Sequence, residues 1–499
     1  MNRLMIRIAS MLLVTTSGAS VWAQSKGTAA ANGDKTSDMS EVISLRLSPA
    51  DEPADALRYQ FWPPLDQQQP TNAMPFFSRA VLMATTTRIG NSEHQLTHDR
   101  HRRWFESPWQ PEYEGELREF LKPYRNSLAE LDRATDRMQI DYPIVDSTMA
   151  LDKMYETLLP EVQETRSLAR LLRLRAKLEM HAERWDDFTR TVQTLFRLSE
   201  MAGHAGEYLV SRLVGLAIAN MTLQTIEEAS SLKGCPNFYW ALASVPSEFL
   251  SVRDALDQEI LSVNKLARGL QTNPDTPIGA VAARAQLREI IQTVGKLKVL
   301  ADGRSDDESP SLVQLQAGLV VVSLADESRH FLQTETRWRD CAQQLSDSEC
   351  VLRAFAIEID RTTANVLKWA WLPDSIRLQY AHSSSDSLRR LGKSTSGEIN
   401  PASCVISLVL PATSAACHTE YRWKQALATQ ATLQAIRDYA AEHQRLPESL
   451  NKLDLPAWPD AITGHPFLYH QSAPHTATLT RRERYSGDDI ATFSLELTE

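Results

Sequence analysis

Glycine is scarce in this 499-residue chain, 18 in all, and long stretches rich in Leu, Ala, Arg, Glu and Gln take its place, a composition that favours helix. Positive charge is not in surplus. The net charge of −10 excludes nucleic acid as the main partner, because phosphate binding needs a basic surface. Past the first 23 residues no segment reads as a membrane span. The charge-free run Leu213–Ile226, 14 residues, falls short of the roughly 20 that a bilayer requires and reads as a buried core helix. Cysteines number five, an odd count, none of them before residue 235, and they include no Cys-x-x-Cys and no Cys/His cluster of the kind zinc uses. Catalytic signatures are missing too. There is no His-Glu-x-x-His and no Gly-x-Ser-x-Gly. Gly392-Lys393-Ser394 looks like the end of a phosphate loop, but Ser387 stands where that loop needs Gly. No cofactor is expected.

What is present begins with an address. Arg3 and Arg7 form a positive leader, Ile8–Val14 a short apolar core, and Val21-Trp22-Ala23 a small-residue cleavage site before Gln24. The sequence thus predicts an exported protein, periplasmic or extracellular, with no lipid-accepting Cys at the cleavage point and no membrane anchor once the leader is removed. In an exporting compartment Cys341–Cys350 and Cys404–Cys417 are plausible local disulfides that leave Cys235 free; the alternative is that several are small buried residues.

At 42% hydrophobic and 23% charged, the chain is globular in composition, and it is too long for one core. Residues 24–40 read as a flexible mature N-terminus. Residues 41–114, with frequent Pro and aromatics, read as an irregular wrap with short helices. Residues 115–381 read as a helical body. Within it Leu168, Leu171, Leu172, Ala176 and Leu178 recur at helical spacing, a break follows at 183–187, and Phe188, Val192, Leu195 and Phe196 resume the period. Gly203 and Gly206 are placed at the end of that helix, and Tyr208–Ile226 forms a third. The hairpin 168–202 resembles a tetratricopeptide (TPR) repeat, although no second copy occurs at a fixed period. A Ser-rich linker is placed at 382–401, a final helix from about 420, and a small α+β module after it. The fold class predicted is mainly α, a helix-hairpin body of the TPR-like or α-solenoid-like kind with that α+β module at its C-terminus.

Ile436-Arg437-Asp438-Tyr439, then Leu446-Pro447-Glu448-Ser449-Leu450, then Gly464-His465-Pro466-Phe467-Leu468-Tyr469 resembles a recurrent C-terminal module of planctomycete-type exported proteins. Gly234-Cys235-Pro236-Asn237-Phe238-Tyr239-Trp240 resembles the central segment of the same family. That family is functionally uncharacterised, so the resemblance implies fold and location but no active site. The module is also similar to the globular end of type II secretion pseudopilins, with Asp488-Asp489-Ile490 as its late piece. This chain lacks the pilin N-terminal helix and has Ala461 where Pro is usual. Two aspartates are too few oxygens to carry a calcium site across.

Two clusters carry candidate chemistry. His94, His98 and His101 share a face if helical, but Arg100, Arg102 and Arg103 beside them would repel a metal ion, and no metal site is assigned. Arg166, Arg170, Arg173 and Lys177 form one stripe of a helix, suited to an acidic envelope protein or an anionic polysaccharide, or else to a solvated outer face paired with carboxylates. Trp338, Trp369 and Trp371 suit interhelix packing better than sugar stacking. The reading is a non-catalytic helical scaffold or binding protein of the cell envelope. The alternative is an envelope hydrolase or glycan-modifying enzyme with its site in a groove between the helical body and the N-terminal wrap.

Overall fold

A computed structural model describes residues 42–90, 96–141, 151–205, 209–246, 248, 250–256, 277–302, 310–372, 376, 401–461, 463–481 and 492–498. The leader, the 382–401 linker, Gly206, His94, Gly392-Lys393-Ser394 and Asp488-Asp489-Ile490 lie outside them, as do the side chains of Cys404 and Trp369. The chain is mainly helical with a small sheet. It divides into two units, a larger one from 11–144, 159–251 and 418–499 and a smaller one from 145–158 and 252–417.

In the larger unit the segment predicted as an irregular wrap is more regular than its composition suggests. It holds strands β1 (Val42–Leu47) and β2 (Gln69–Asn72), a 17-residue helix α1 (Met74–Gly90), a single turn α2 (His98–His101) that runs into a π turn at Arg102–Glu106, and α3 (Glu112–Leu121). Helix α4 (Arg125–Thr135) and strand β3 (Arg137–Gln139) follow, and β3 pairs in parallel with β2. Three long helices come next: α5 (Leu151–His181), α6 (Trp185–His204) and α7 (Leu209–Ser230). The turn between α5 and α6 has Glu183 in the left-handed region (φ 54°) while Arg184 N–H donates to Glu179 C=O at 2.9 Å, closing the end of α5. Antiparallel pairing of the two helices follows from Arg175 and Glu179, which both meet Thr191. Leu168, Leu172, Leu195 and Leu198 have no exposed surface, and together with α1, α3 and α4 they build one apolar core.

Gly203 does not cap α6. It lies within the helix, where a Cβ would come within 2.5 Å of Leu250; across from it a Cβ on Gly215 would meet Ser199 C=O at 2.5 Å. The two glycines let α6 and α7 approach closely. Helix α7 is long and apolar enough to cross a membrane, yet 72% of its most apolar stretch is buried in the protein, as a core helix requires.

The C-terminal module opens on α12 (Pro401–His443), which starts about twenty residues before the position its periodicity suggested. Residues 399–419 carry no Asp, Glu, Lys or Arg, a run longer than that of Leu213–Ile226. Strands β4 (Leu468–Ala473), β5 (Thr476–Thr480) and β6 (Thr492–Leu497) then form an antiparallel meander, and β1 adds to it in parallel, giving the order β1-β6-β5-β4. Alternation puts Leu45, Leu47, Leu479, Phe493 and Leu495 on one face, packed on Leu433, Ile436 and Ala440 of α12.

Arg437, with no exposed surface, ties this module to the chain's middle. It donates to Ser48 C=O (2.7 Å), Pro236 C=O (3.1 Å), Cys235 C=O (2.7 Å) and Gln434 Oε1 (2.6 Å). Residues 235–236 and Ser48, just after β1, therefore meet α12 at one guanidinium. Phe238 joins the same region to Tyr59, Phe61 and Phe188 through ring contacts of 5.1–5.8 Å.

In the smaller unit α9 (Gly279–Asp302), α10 (Pro310–Thr334) and α11 (Asp347–Ala370) pack on one another. The short helix α8 (Tyr239–Ala243) precedes them in the chain and belongs to the larger unit. Trp338 is buried with Leu332, Ala342 and Leu345, as packing predicted, while Trp371 is exposed. The Cys341–Cys350 disulfide is not formed. Both are thiols, Cys341 Sγ donating to Trp338 C=O at 3.4 Å and Cys350 Sγ to Ala342 C=O at 3.7 Å, and burial pushes Cys350 up to about 11. Cys235 and Cys417 are thiols as well.

Candidate functional site: the basic row of helix α5

Helix α5 is apolar around most of its circumference between 168 and 180, so its basic residues cannot form a solvated outer face. The C-terminal half of the row, Arg173 and Lys177, is covered instead by Trp104 and Phe105 of the 101–106 turn and by Glu228 at the end of α7. Lys177 is buried; its ammonium donates to Trp104 C=O at 2.9 Å and pairs with Glu228 at 2.7 Å. Burial lowers its proton affinity and Glu228 partly restores it. Arg173 lies 5.1 Å over the Phe105 ring and 3.9 Å from the same Glu228. One carboxylate thus serves two cations at the C-terminal end of the row.

Around this pair the titratable groups are displaced from their ordinary values. Burial pushes Glu227 up to about 7, against a hydrogen bond from Gln430 Nε2 at 2.6 Å that favours its charged form. His181 is pushed down to about 4 by burial, and its ring stacks on Trp109 at 4.1 Å between centroids. His101 stands 3.4 Å from Glu106 and against Phe105; burial first, then Arg170 and Arg173, hold its proton affinity down.

The N-terminal half of the row differs. Arg166 and Arg170 are half-buried and make no hydrogen bond or ion pair with any described residue, and Arg166 Nε is buried without a partner. Burial lowers the proton affinity of both guanidinia, and for Arg166 the neighbouring Arg170 adds to the effect. Other half-buried arginines nearby are matched: Arg175 grips Asp132 through two bonds of 2.7 and 2.8 Å, and Arg190 grips Asp136 through two of 2.7 Å. Glu164, the nearest acid before Arg166 in α5, is taken by Arg88.

The sequence places all four basic residues on one helix, and the structure keeps them together but splits them into a neutralised half and an open half. Trp104, Phe105, Glu106, Glu227 and Glu228 are the partners that sequence reading missed. Glu227-Glu228 was legible only as the acidic end of a charge-free run. Of the three histidines, His94 lies outside the described residues and His101 stands beside Glu106. His98 is exposed on a single turn of helix, and among the described residues no three His, Cys, Asp or Glu side chains are arranged to hold a metal.

The groove expected between wrap and body exists as a depression of about 180 Å³ lined by Arg58, Tyr59, Gln67, Asp186, Arg190 and Gln193. Asp186 is the one carboxylate among its described lining residues, and Arg58 pairs with it at 3.3 Å. Such a lining offers hydrogen bonds to a polar group. Comparison of the chain with models of protein families, with curated proteins and with solved structures finds no match to any of them.

Proposed function

We propose that the protein is an exported, non-catalytic helical binding protein of the cell envelope, and that Arg166 and Arg170, the open half of the basic row of α5, are its contact with an acidic envelope component. The observation that carries this reading is the pair Arg166–Arg170, two half-buried guanidinia with no carboxylate among the described residues to neutralise them. The leader composition supports export. The antiparallel pairs α5/α6 and α6/α7 support a TPR-like scaffold, and the helix-plus-meander end supports kinship with pseudopilin globular modules, in which the strands serve folding rather than chemistry.

Capture from the envelope fraction by the full chain, followed by mass spectrometry, tests the proposal. The wild-type chain is expected to retain an acidic component that Arg166→Glu and Arg170→Glu release. An unchanged set of captured components, or mature protein that keeps its first 23 residues in the cytosol, contradicts it.

A further inference from the structure

Resting on that reading, we infer that Arg166 and Arg170 form a receptor for a single oxyanion group of the carboxylate or phosphate kind, bound one per chain. Residues four apart on a helix stand one above the other, close enough for two guanidinia to converge on one group. A half-buried guanidinium that lacks a partner leaves N–H donors unmatched, an arrangement folded proteins seldom retain because each such group costs about 1–3 kcal/mol when desolvated. Arg166 Nε is in that condition, and so is Arg173 Nε; what separates the two is that Arg173 has Glu228 as its counter-charge and Arg166 has no carboxylate among the described residues.

The rest of the row sets the size of the ligand. Arg173 and Lys177 share Glu228 and are closed under Phe105 and Trp104, so the open positive charge ends at Arg170. An extended polyanion running along α5 would meet Glu228 and Glu227 within the next turns; one anionic group meets only the two arginines and the rim formed by His101. The Glu106 carboxylate is engaged with His101 at 3.4 Å. A compact group presented at a chain end, or projecting from a sugar ring, satisfies these limits.

Calorimetric titration of the full mature chain at low ionic strength tests the inference, with inorganic phosphate and galacturonate as separate probes. One-to-one binding is expected for at least one of them, and the preferred probe identifies the source as phosphate or uronate. Arg166→Gln and Arg170→Gln should each weaken it by about tenfold or more, the value of one charge-assisted hydrogen bond pair, while Arg173→Gln should change it less than about threefold. Neither arginine makes a hydrogen bond or ion pair with any described residue, so both variants should fold, and melting curves provide a second readout. The preferred probe should raise the wild-type melting temperature at constant ionic strength and leave both variants unmoved. Absence of saturable binding by both probes overturns the inference, as does binding that survives both substitutions. If the probes fail while charge reversal still abolishes envelope capture, the receptor is wrong and the broader binding reading stands. If the probes bind as described and capture is unaffected, the reverse holds.

Discussion

Arg170 and Arg175 lie five residues apart on one helix, equally charged and both partly covered, yet they play opposite parts. Arg175 has Asp132 on its fork and Thr191 on its Nε, and with Glu179 it fastens α5 to α4 and α6. Arg170 has neither carboxylate nor carbonyl among the described residues. Arg437 is the extreme of the first kind, a fully buried guanidinium whose partners are backbone carbonyls from segments about 200 and 390 residues away. The contrast teaches that burial of an arginine does not reveal its role. What distinguishes a structural cation from a receptor is whether the fold itself supplies the acceptors.

Removing a committed arginine should therefore cost most. Arg437→Met removes the guanidinium donor from the Ser48 and Cys235 carbonyls and one of two donors from Pro236 C=O and Gln434 Oε1, and a loss of about 3–5 kcal/mol is expected from denaturant unfolding of the variant. A loss below about 1 kcal/mol would erase the distinction drawn here. Next comes Arg175→Met, which strands Asp132 and Glu179 and should lower stability by about 2–3 kcal/mol in the same assay.

A smaller, pH-dependent effect separates the closed half of the row from the open half. Glu227 releases its proton near pH 7 in the fold and near 4.3 in an unfolded chain, so between those values the folded state binds more protons and stability falls as pH rises. His181 acts oppositely. Pushed down to about 4, it leaves the folded state with fewer protons than the unfolded one up to about pH 6.5, and its contribution rises with pH through that window. Glu227→Gln removes the first effect only. Relative to wild type the variant should gain about 2–3 kcal/mol between pH 5 and pH 8, measured as the difference in unfolding free energy at the two pH values. A pH-independent difference would show that Glu227 is ionised throughout.

Much of the architecture was legible because it is periodic. The apolar spacing of Leu168–Leu178 and Phe188–Leu198 and the break at 183–187 give α6 and the C-terminal part of α5, although α5 begins at Leu151, about ten residues before that spacing, and Thr492–Leu497 reads as a strand from its alternation alone. Strand β1 alternates equally well at Ile43, Leu45 and Leu47, but its partner β6 lies some 450 residues away in parallel, with no turn to announce the pairing. The role of Gly203 was hidden for a similar reason: a glycine near a helix end reads as a cap unless the helix facing it is known. For the site, spacing gathered the four basic residues correctly. It could not show that Glu228 neutralises two of them, since that carboxylate arrives from α7 through tertiary packing.

The smallest stability effect is also the most direct test of the central claim that Arg166 and Arg170 are not used by the fold. Unfolding of the double variant Arg166→Gln/Arg170→Gln, measured without added anion, should show a stability equal to wild type within about 0.5 kcal/mol or higher, because like charges are removed and no bond is broken. A loss of about 2 kcal/mol or more would show that the fold does use these guanidinia, and would contradict the account.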